Sequence, residues 1–196
     1  MSGIAGKRIL LVISGGIAAY KCLELIRRLR ERGASVRCLL TGAGAEFVTP
    51  LSLEAVSEEK VYTDLFELGR ESEMGHIRLS RDADLLVVAP ATANILARMA
   101  AGIADDLATT ALLATDKPVI VAPAMNHRMW SHAATRRNID QLKADGIRVV
   151  EPTEGAMACG EYGAGRMAEP AEIVRFITEH SVARSGELKG KKAIVT

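Results

Sequence analysis

The sequence predicts a doubly wound α/β domain of three layers, with one parallel sheet covered by helices on both faces. Short runs of β-branched and aliphatic residues recur at 8–13, 36–40, 85–89, 119–122 and 147–150, separated by segments of helical period. These runs are continuously apolar instead of alternating, as strands covered on both faces must be. Strand and helix in alternation imply parallel strands joined by right-handed crossovers.

Each element has a local reason. After the first strand, 17–31 reads as a helix whose apolar stripe is Cys22, Leu25, Ile26 and Leu29, closed by Gly33. The second strand holds Cys38 among aliphatic neighbours, and a short helix follows at 51–57. The third strand stops at Pro90, and helices are expected at 93–101 and 107–114. The fourth strand leads to a helix at 133–143 that Gly146 closes, then to the last strand. Pro170 suits the first position of a final helix, 170–179. The expected domain spans 1–180. Residues 181–196 turn polar around Ser185-Gly186-Glu187 and end in Ala193-Ile194-Val195, which reads as a linker and the first strand of a further, truncated domain.

Composition excludes several classes of function. Hydrophobic residues make up 48% of the 196 and charged residues 25%, an ordinary globular mixture. Twenty-five Lys and Arg against 24 Asp and Glu leave a net charge of +1, no basis for a dedicated nucleic-acid binder. The longest apolar run falls far short of the roughly 20 residues of a membrane span. Three cysteines without CxxC spacing argue against disulfides and against a metal site, and fit a reducing cytoplasm. Cys22 and Cys38 read as core residues, whereas Cys159 stands among glycines and charges.

Ligands of such folds bind at the carboxyl ends of the strands. There, Ser14-Gly15-Gly16-Ile17-Ala18-Ala19-Tyr20-Lys21 joins the first strand to the first helix. Glycines in such a loop let backbone N–H groups approach a phosphate at a helix N-terminus; the alternative is a tight turn with no ligand. Neither GxGxxG nor GxxxxGK[ST] is present, which argues against dinucleotides and against nucleotide hydrolysis. The second strand ends in Leu40-Thr41, without the acidic residue that grips an adenosine ribose, so a mononucleotide such as FMN fits better. Pro90-Ala91-Thr92-Ala93-Asn94 and Pro123-Ala124-Met125-Asn126 follow the third and fourth strands. Thr92 and Asn126 read either as helix caps or as ligand contacts.

These motifs, with Gly75-His76-Ile77, the extension to Met129-Trp130, and Ala158-Cys159-Gly160 leading to Gly163 and Gly165-Arg166-Met167, occur in one order. Over about residues 6–180 the chain resembles the homo-oligomeric flavin-containing cysteine decarboxylases. Within them it is most similar to the phosphopantothenoylcysteine decarboxylases that form half of a bifunctional coenzyme A biosynthesis flavoprotein. The tail from Leu188 resembles the opening strand of the partner domain of that flavoprotein, a phosphopantothenate–cysteine ligase. The resemblance implies a Rossmann-like flavoprotein fold, FMN in this domain, and CTP with Mg only for the missing ligase domain. It also implies trimers with FMN at the subunit interface, assembling to a dodecamer in the cytoplasm, with no nucleic-acid or membrane partner.

The implied substrate, 4′-phosphopantothenoylcysteine, cannot lose CO2 directly, because the electrons left behind would have no sink. Oxidising its CH2–SH carbon to a thioaldehyde provides one: CO2 leaves and sulfur receives the electrons as an enethiolate, which is then reduced to 4′-phosphopantetheine. By resemblance His76 is the active-site base, Asn126 holds the substrate carboxylate, and Cys159 protonates the enethiolate from a glycine-rich flap. An isolated histidine is otherwise a structural residue, and the flap a surface loop. The resemblance further assigns Ser14, Gly15, Gly16, Ile17, Ala18, Thr41, Phe47, Ala91, Thr92 and Asn94 to the cofactor. It assigns Met129, Ala158 and Gly160, with Asn126, to the substrate, and Arg166 reads either as holding the flap or as binding the substrate phosphate. His127, His132 and His180 read as surface or helix residues. The chain departs from related sequences at Gly16, where many carry serine, and at Asp105-Asp106, where an Asn often precedes or follows the Asp. Two other readings are a peptidyl-cysteine decarboxylase and a catalytically silent flavin-binding regulatory subunit. The ligase-like tail argues against the first, and the presence of His76, Asn126 and Cys159 against the second. A flavin prenyltransferase shares the fold but should lack the Cys159 segment.

Overall fold

The computed structural model describes residues 3–64, 75–156 and 160–182. Its centre is a six-stranded sheet made of β1 (Arg8–Ile13), β2 (Ser35–Leu40), β3 (Val61–Tyr62), β4 (Leu85–Ala91), β5 (Val119–Pro123) and β6 (Arg148–Val149). The spatial order is β3-β2-β1-β4-β5-β6 and every pairing is parallel. The five expected strands are present. The third runs on through Pro90 to Ala91, and the two-residue edge strand β3 is too short to show as an apolar run.

Alternate residues of each strand feed two cores, which makes the domain three-layered. Ile9, Leu11 and Ile13 pack on one face with Cys22, Leu25, Ile26 and Leu29 of α1 (Lys21–Glu31), with Leu53 of α3 (Pro50–Ser57), and with Ile173 and Ile177 of α9 (Pro170–Val182). Leu10 and Val12 face the other way, toward α4 (Gly75–Asp82), α5 (Ala93–Ala101), α6 (Leu107–Leu113) and α8 (Ala133–Ala144). Full burial of one such aliphatic side chain stabilises by about 1.5–3 kcal/mol, so these paired faces dominate the fold. The left-handed φ of +83° at Gly33 ends the α1 crossover, where a Cβ would be strained.

The expected helix at 17–31 divides into a single 3-10 turn, Ile17–Tyr20, and α1. Two further short helices, α2 (Gly42–Ala45) and α7 (His127–Ser131), lie in loops. The glycine-rich stretch is an antiparallel ribbon of β7 (Thr153–Ala156) and β8 (Tyr162–Arg166). Its Gly155↔Gly163 pair leaves room on both sides: Arg166 lies over Gly155, and His127 packs on Gly163. α9 runs on to Val182, so the first two residues of the linker expected at 181–192 are helical instead, and the rest of that linker and the expected strand, from 183 onward, fall outside the described residues.

Candidate active site

The strand order reverses beside β1, between β1 and β4, and the loops at their carboxyl ends enclose a crevice there. Ser14 is buried at the end of β1; its hydroxyl donates to the Pro90 carbonyl (2.6 Å) and accepts the Thr92 N–H (3.2 Å), fastening the β1 and β4 loops together. A Cβ on Gly15 would lie 2.5 Å from the Ala43 Cβ and 2.9 Å from its carbonyl oxygen, so only glycine lets these two loops meet. At Gly16, φ is +155° and a Cβ would stand 3.7 Å from the Thr92 methyl; a serine there would meet a backbone conflict, not a lack of room. Thr41 donates to the Ile13 carbonyl (3.2 Å) and accepts the Gly44 N–H (3.1 Å) as the cap of α2. Phe47 follows, half exposed.

Thr92 caps α5 through the Ile95 N–H (3.4 Å), with Ala91 buried before it and Asn94 exposed in the first turn. Asn126 caps α7, its Oδ1 accepting the Arg128 N–H at 2.8 Å while its Nδ2 donates to the Glu161 carboxylate. The capping readings of Thr92 and Asn126 are therefore correct as far as local structure goes, and both caps sit on the crevice edge.

A cleft of about 480 Å³ opens between Gly16, Ile17 and Ala18 of the first loop, residues 124–126 after β5, and Ala156, Gly165 and Arg166 of the ribbon. The Met125 N–H donates to the Gly165 carbonyl (2.9 Å), which ties the ribbon to the β5 loop. Lys21 also lines it, only 10% exposed: its Nζ donates to the Glu169 carboxylate (2.7 Å) and to the Met167 carbonyl (3.2 Å). Arg166 stands 3.7 Å from the same carboxylate, so one acid is shared by two cations and the cleft suits an anionic ligand.

Among the expected site residues, the structure thus gathers Gly16, Ile17, Ala18, Asn126 and Arg166 around one cleft. Ser14, Gly15, Thr41 and Thr92 brace the loops behind it. Met129 is exposed on α7 and is not part of the cleft lining. His76 lies in the first turn of α4, and Gly160 adopts φ +80° beside Glu161. Ala158 and Cys159 lie outside the described residues.

Asp105 and Asp106 both pair with Arg98, and Asp106 caps α6 in a reciprocal box with Thr109. Burial alone would raise the Asp106 pKa, but the Thr109 N–H, the Arg98 guanidinium and the Thr109 hydroxyl together hold it below the ordinary carboxylate value. Burial pushes the thiol of Cys38 up to about 12 and raises that of Cys22 further, so both are inert core residues. His132 caps α8, and His180 stacks on Phe176 with ring centroids 3.9 Å apart.

Sequence reasoning missed Glu161, the Lys21–Glu169 pair and the ribbon. Lys21 did carry a signal, since it adjoins Cys22 on the buried side of α1.

The flavoprotein family model matches residues 2–181 of this chain. The chain belongs to the flavoprotein family. It is 51% identical over 177 residues to the coenzyme A biosynthesis bifunctional protein CoaBC of Escherichia coli (strain K12), covering 90% of this chain and 44% of that protein. Against CoaBC of Vibrio cholerae it is 49% identical over 196 residues, covering 100% of this chain and 49% of the relative. The chain therefore spans about half the length of these curated relatives. Among solved structures, a cysteine-to-serine mutant of PPC decarboxylase complexed with pantothenoylaminoethenethiol superposes with TM-score 0.83 at 38% identity, covering 89% of this chain and 98% of the other. The FMN binding protein AtHal3 superposes with TM-score 0.76 at 35% identity, over 95% and 99% of the two chains. Among the described residues of this flavoprotein, no helix is long and apolar enough to cross a membrane.

Proposed function

We propose that this flavoprotein is the decarboxylase part of a bifunctional coenzyme A biosynthesis enzyme, converting 4′-phosphopantothenoylcysteine to 4′-phosphopantetheine and CO2. The observation that carries this reading is the cleft that joins the glycine loop at Gly16–Ala18 to Asn126 and to the ribbon. It is supported by the relatives named CoaBC and by the PPC decarboxylase likeness, whose ligand is itself an enethiol.

The residues present fit FMN. Gly15 and Gly16 bring bare backbone to the crevice, and the loops after β2 and β4, at Thr41, Phe47, Ala91, Thr92 and Asn94, flank it. When bound, the flavin supplies the two-electron oxidation of the substrate's CH2–SH carbon to a thioaldehyde and the later reduction of the enethiolate. The chain's own work is to hold the substrate and move protons. Asn126 Nδ2 presents N–H groups to the substrate carboxylate without adding a cation, which leaves that group able to depart as CO2. His76 is the base, with a side chain whose ordinary pKa near 6.5 suits proton transfer at neutral pH. Cys159 delivers the proton to the enethiolate from its thiol before the final reduction. Arg166, with Met129, Ala158 and Gly160, completes the substrate side, the guanidinium serving the anionic end of the ligand.

In the whole protein, residues 181–196 lead into the ligase domain, the part that requires CTP and Mg. The domain works in trimers assembled to a dodecamer, in the cytoplasm. Exposed Ile17, Tyr20 and Leu51 offer apolar surface for that association. The test is to incubate FMN-loaded protein with 4′-phosphopantothenoylcysteine and follow CO2 and 4′-phosphopantetheine by mass. Absence of both refutes the assignment.

A further inference from the structure

The Glu161 carboxylate faces three consecutive residues where α7 begins. Asn126 Nδ2 donates to its Oε2. His127 Nδ1 stands 3.3 Å from that same oxygen, off the angle of a hydrogen bond, and Arg128 Nε lies 3.6 Å from Oε1. Arg128 is well exposed and adds little, so the Asn126 contact outweighs the Arg128 one. Asn126 cannot turn its amide over at no cost, because Oδ1 is engaged by the Arg128 N–H at 2.8 Å. The orientation of the carboxamide is thus settled, and its nitrogen faces a carboxylate of the chain's own ribbon.

We propose that Glu161 is a built-in competitor of the substrate: its carboxylate occupies the position on Asn126 that the substrate carboxylate takes, and a ligand that brings a carboxylate of its own must displace it. This rests on the reading of Asn126 given above. Two carboxylates on one amide nitrogen repel each other at close range, and the neutral Asn126 amide brings no charge to offset that repulsion. Substrate binding therefore exchanges one carboxylate for another and releases the Glu161 end of β8 from α7. Once CO2 is lost, the ligand no longer competes and Glu161 returns to Asn126. Substrate must break the clasp in order to bind, whereas a carboxylate-free product binds with the clasp intact.

The experiment uses the FMN-loaded chain and Glu161→Gln. Glutamine keeps the shape and still accepts from Asn126, but a neutral acceptor is the weaker competitor. The KM for 4′-phosphopantothenoylcysteine should fall about tenfold, the ratio that 1.4 kcal/mol represents, while the inhibition constant of 4′-phosphopantetheine stays as in the unsubstituted chain. Glu161→Ala should shift the KM in the same direction, and the flavin spectrum reports whether either variant is folded and loaded. In an Asn126→Ala background, Glu161→Gln should leave substrate affinity unchanged, since the shared partner is gone. A KM that rises or stays constant in both Glu161 variants overturns the proposal, as does an equal shift for substrate and product. If the unsubstituted chain releases no CO2, the decarboxylase reading itself has failed, an outcome distinct from a failure of the Glu161 exchange.

Discussion

Replacing Gly15 by alanine tests whether the contact between the first two loops shapes the cofactor site. The added Cβ would lie 2.5 Å from the Ala43 Cβ, 2.9 Å from its carbonyl oxygen and 3.0 Å from its carbonyl carbon. Ordinary carbon–carbon contact is about 3.5 Å or more, so one loop must retreat by about 1 Å. The obstruction is mostly backbone, which a rotamer change does not relieve. Gly15 has no left-handed φ, so the cost is one of packing and not of backbone strain. Overpacking of this kind costs about 1–3 kcal/mol, and in a chain of this length each kcal/mol lowers Tm by about 2–4 °C. Retreat of the loop should also draw its N–H groups away from the phosphate, lowering FMN affinity by about tenfold or more if one charge-assisted hydrogen bond is lost. The assay is a calorimetric melt of the apoprotein together with FMN titration by flavin fluorescence. Gly42→Ala is the control, because a Cβ there meets nothing within 4 Å. It should bind FMN normally and melt no lower. If Gly15→Ala binds FMN as the unsubstituted chain does, the contact with Ala43 does not shape the cofactor site.

Three further outcomes are expected. His76→Asn should abolish CO2 release while the protein still purifies with FMN; normal turnover would return His76 to a structural role. Cys159→Ser, with a far weaker acid in place of the thiol, should release CO2, accumulate the enethiol poorer by two hydrogens than phosphopantetheine, and leave the flavin reduced. Full turnover, or no CO2, would remove Cys159 from the late protonation. Asp106→Ala should lower stability by about 0.5–2 kcal/mol through loss of the α6 cap. The folded Asp106 pKa is depressed, so its contribution is complete above the ordinary carboxylate value and is lost as pH falls through and below it. The difference between Asp106→Ala and the unsubstituted chain should shrink in acid, and a pH-independent gap in denaturant midpoints would contradict that.

The sheet and most of its helices were legible in the sequence because they depend on local periodicity. A continuous apolar run such as 119–122 can only be a doubly covered strand or a buried helix, and its length decides between them. The stripe on α1, the burial of Cys22 and Cys38, and the caps at Thr92 and Asn126 follow from near neighbours in the chain. So did the location of the cleft, because a parallel sheet sends its loops to one edge. The ribbon β7–β8 was not legible: its strands are short and glycine-rich, so no apolar period marks them, and only its pairing and its contact with α7 make it a sheet. Nor could the sequence show which polar groups meet. Lys21 and Glu169 stand 148 residues apart, and Asn126 and Glu161 stand 35 apart. Residue type and spacing determine which segments become strands and helices, whereas such distant polar contacts exist only once the sheet has brought its loops together at one edge.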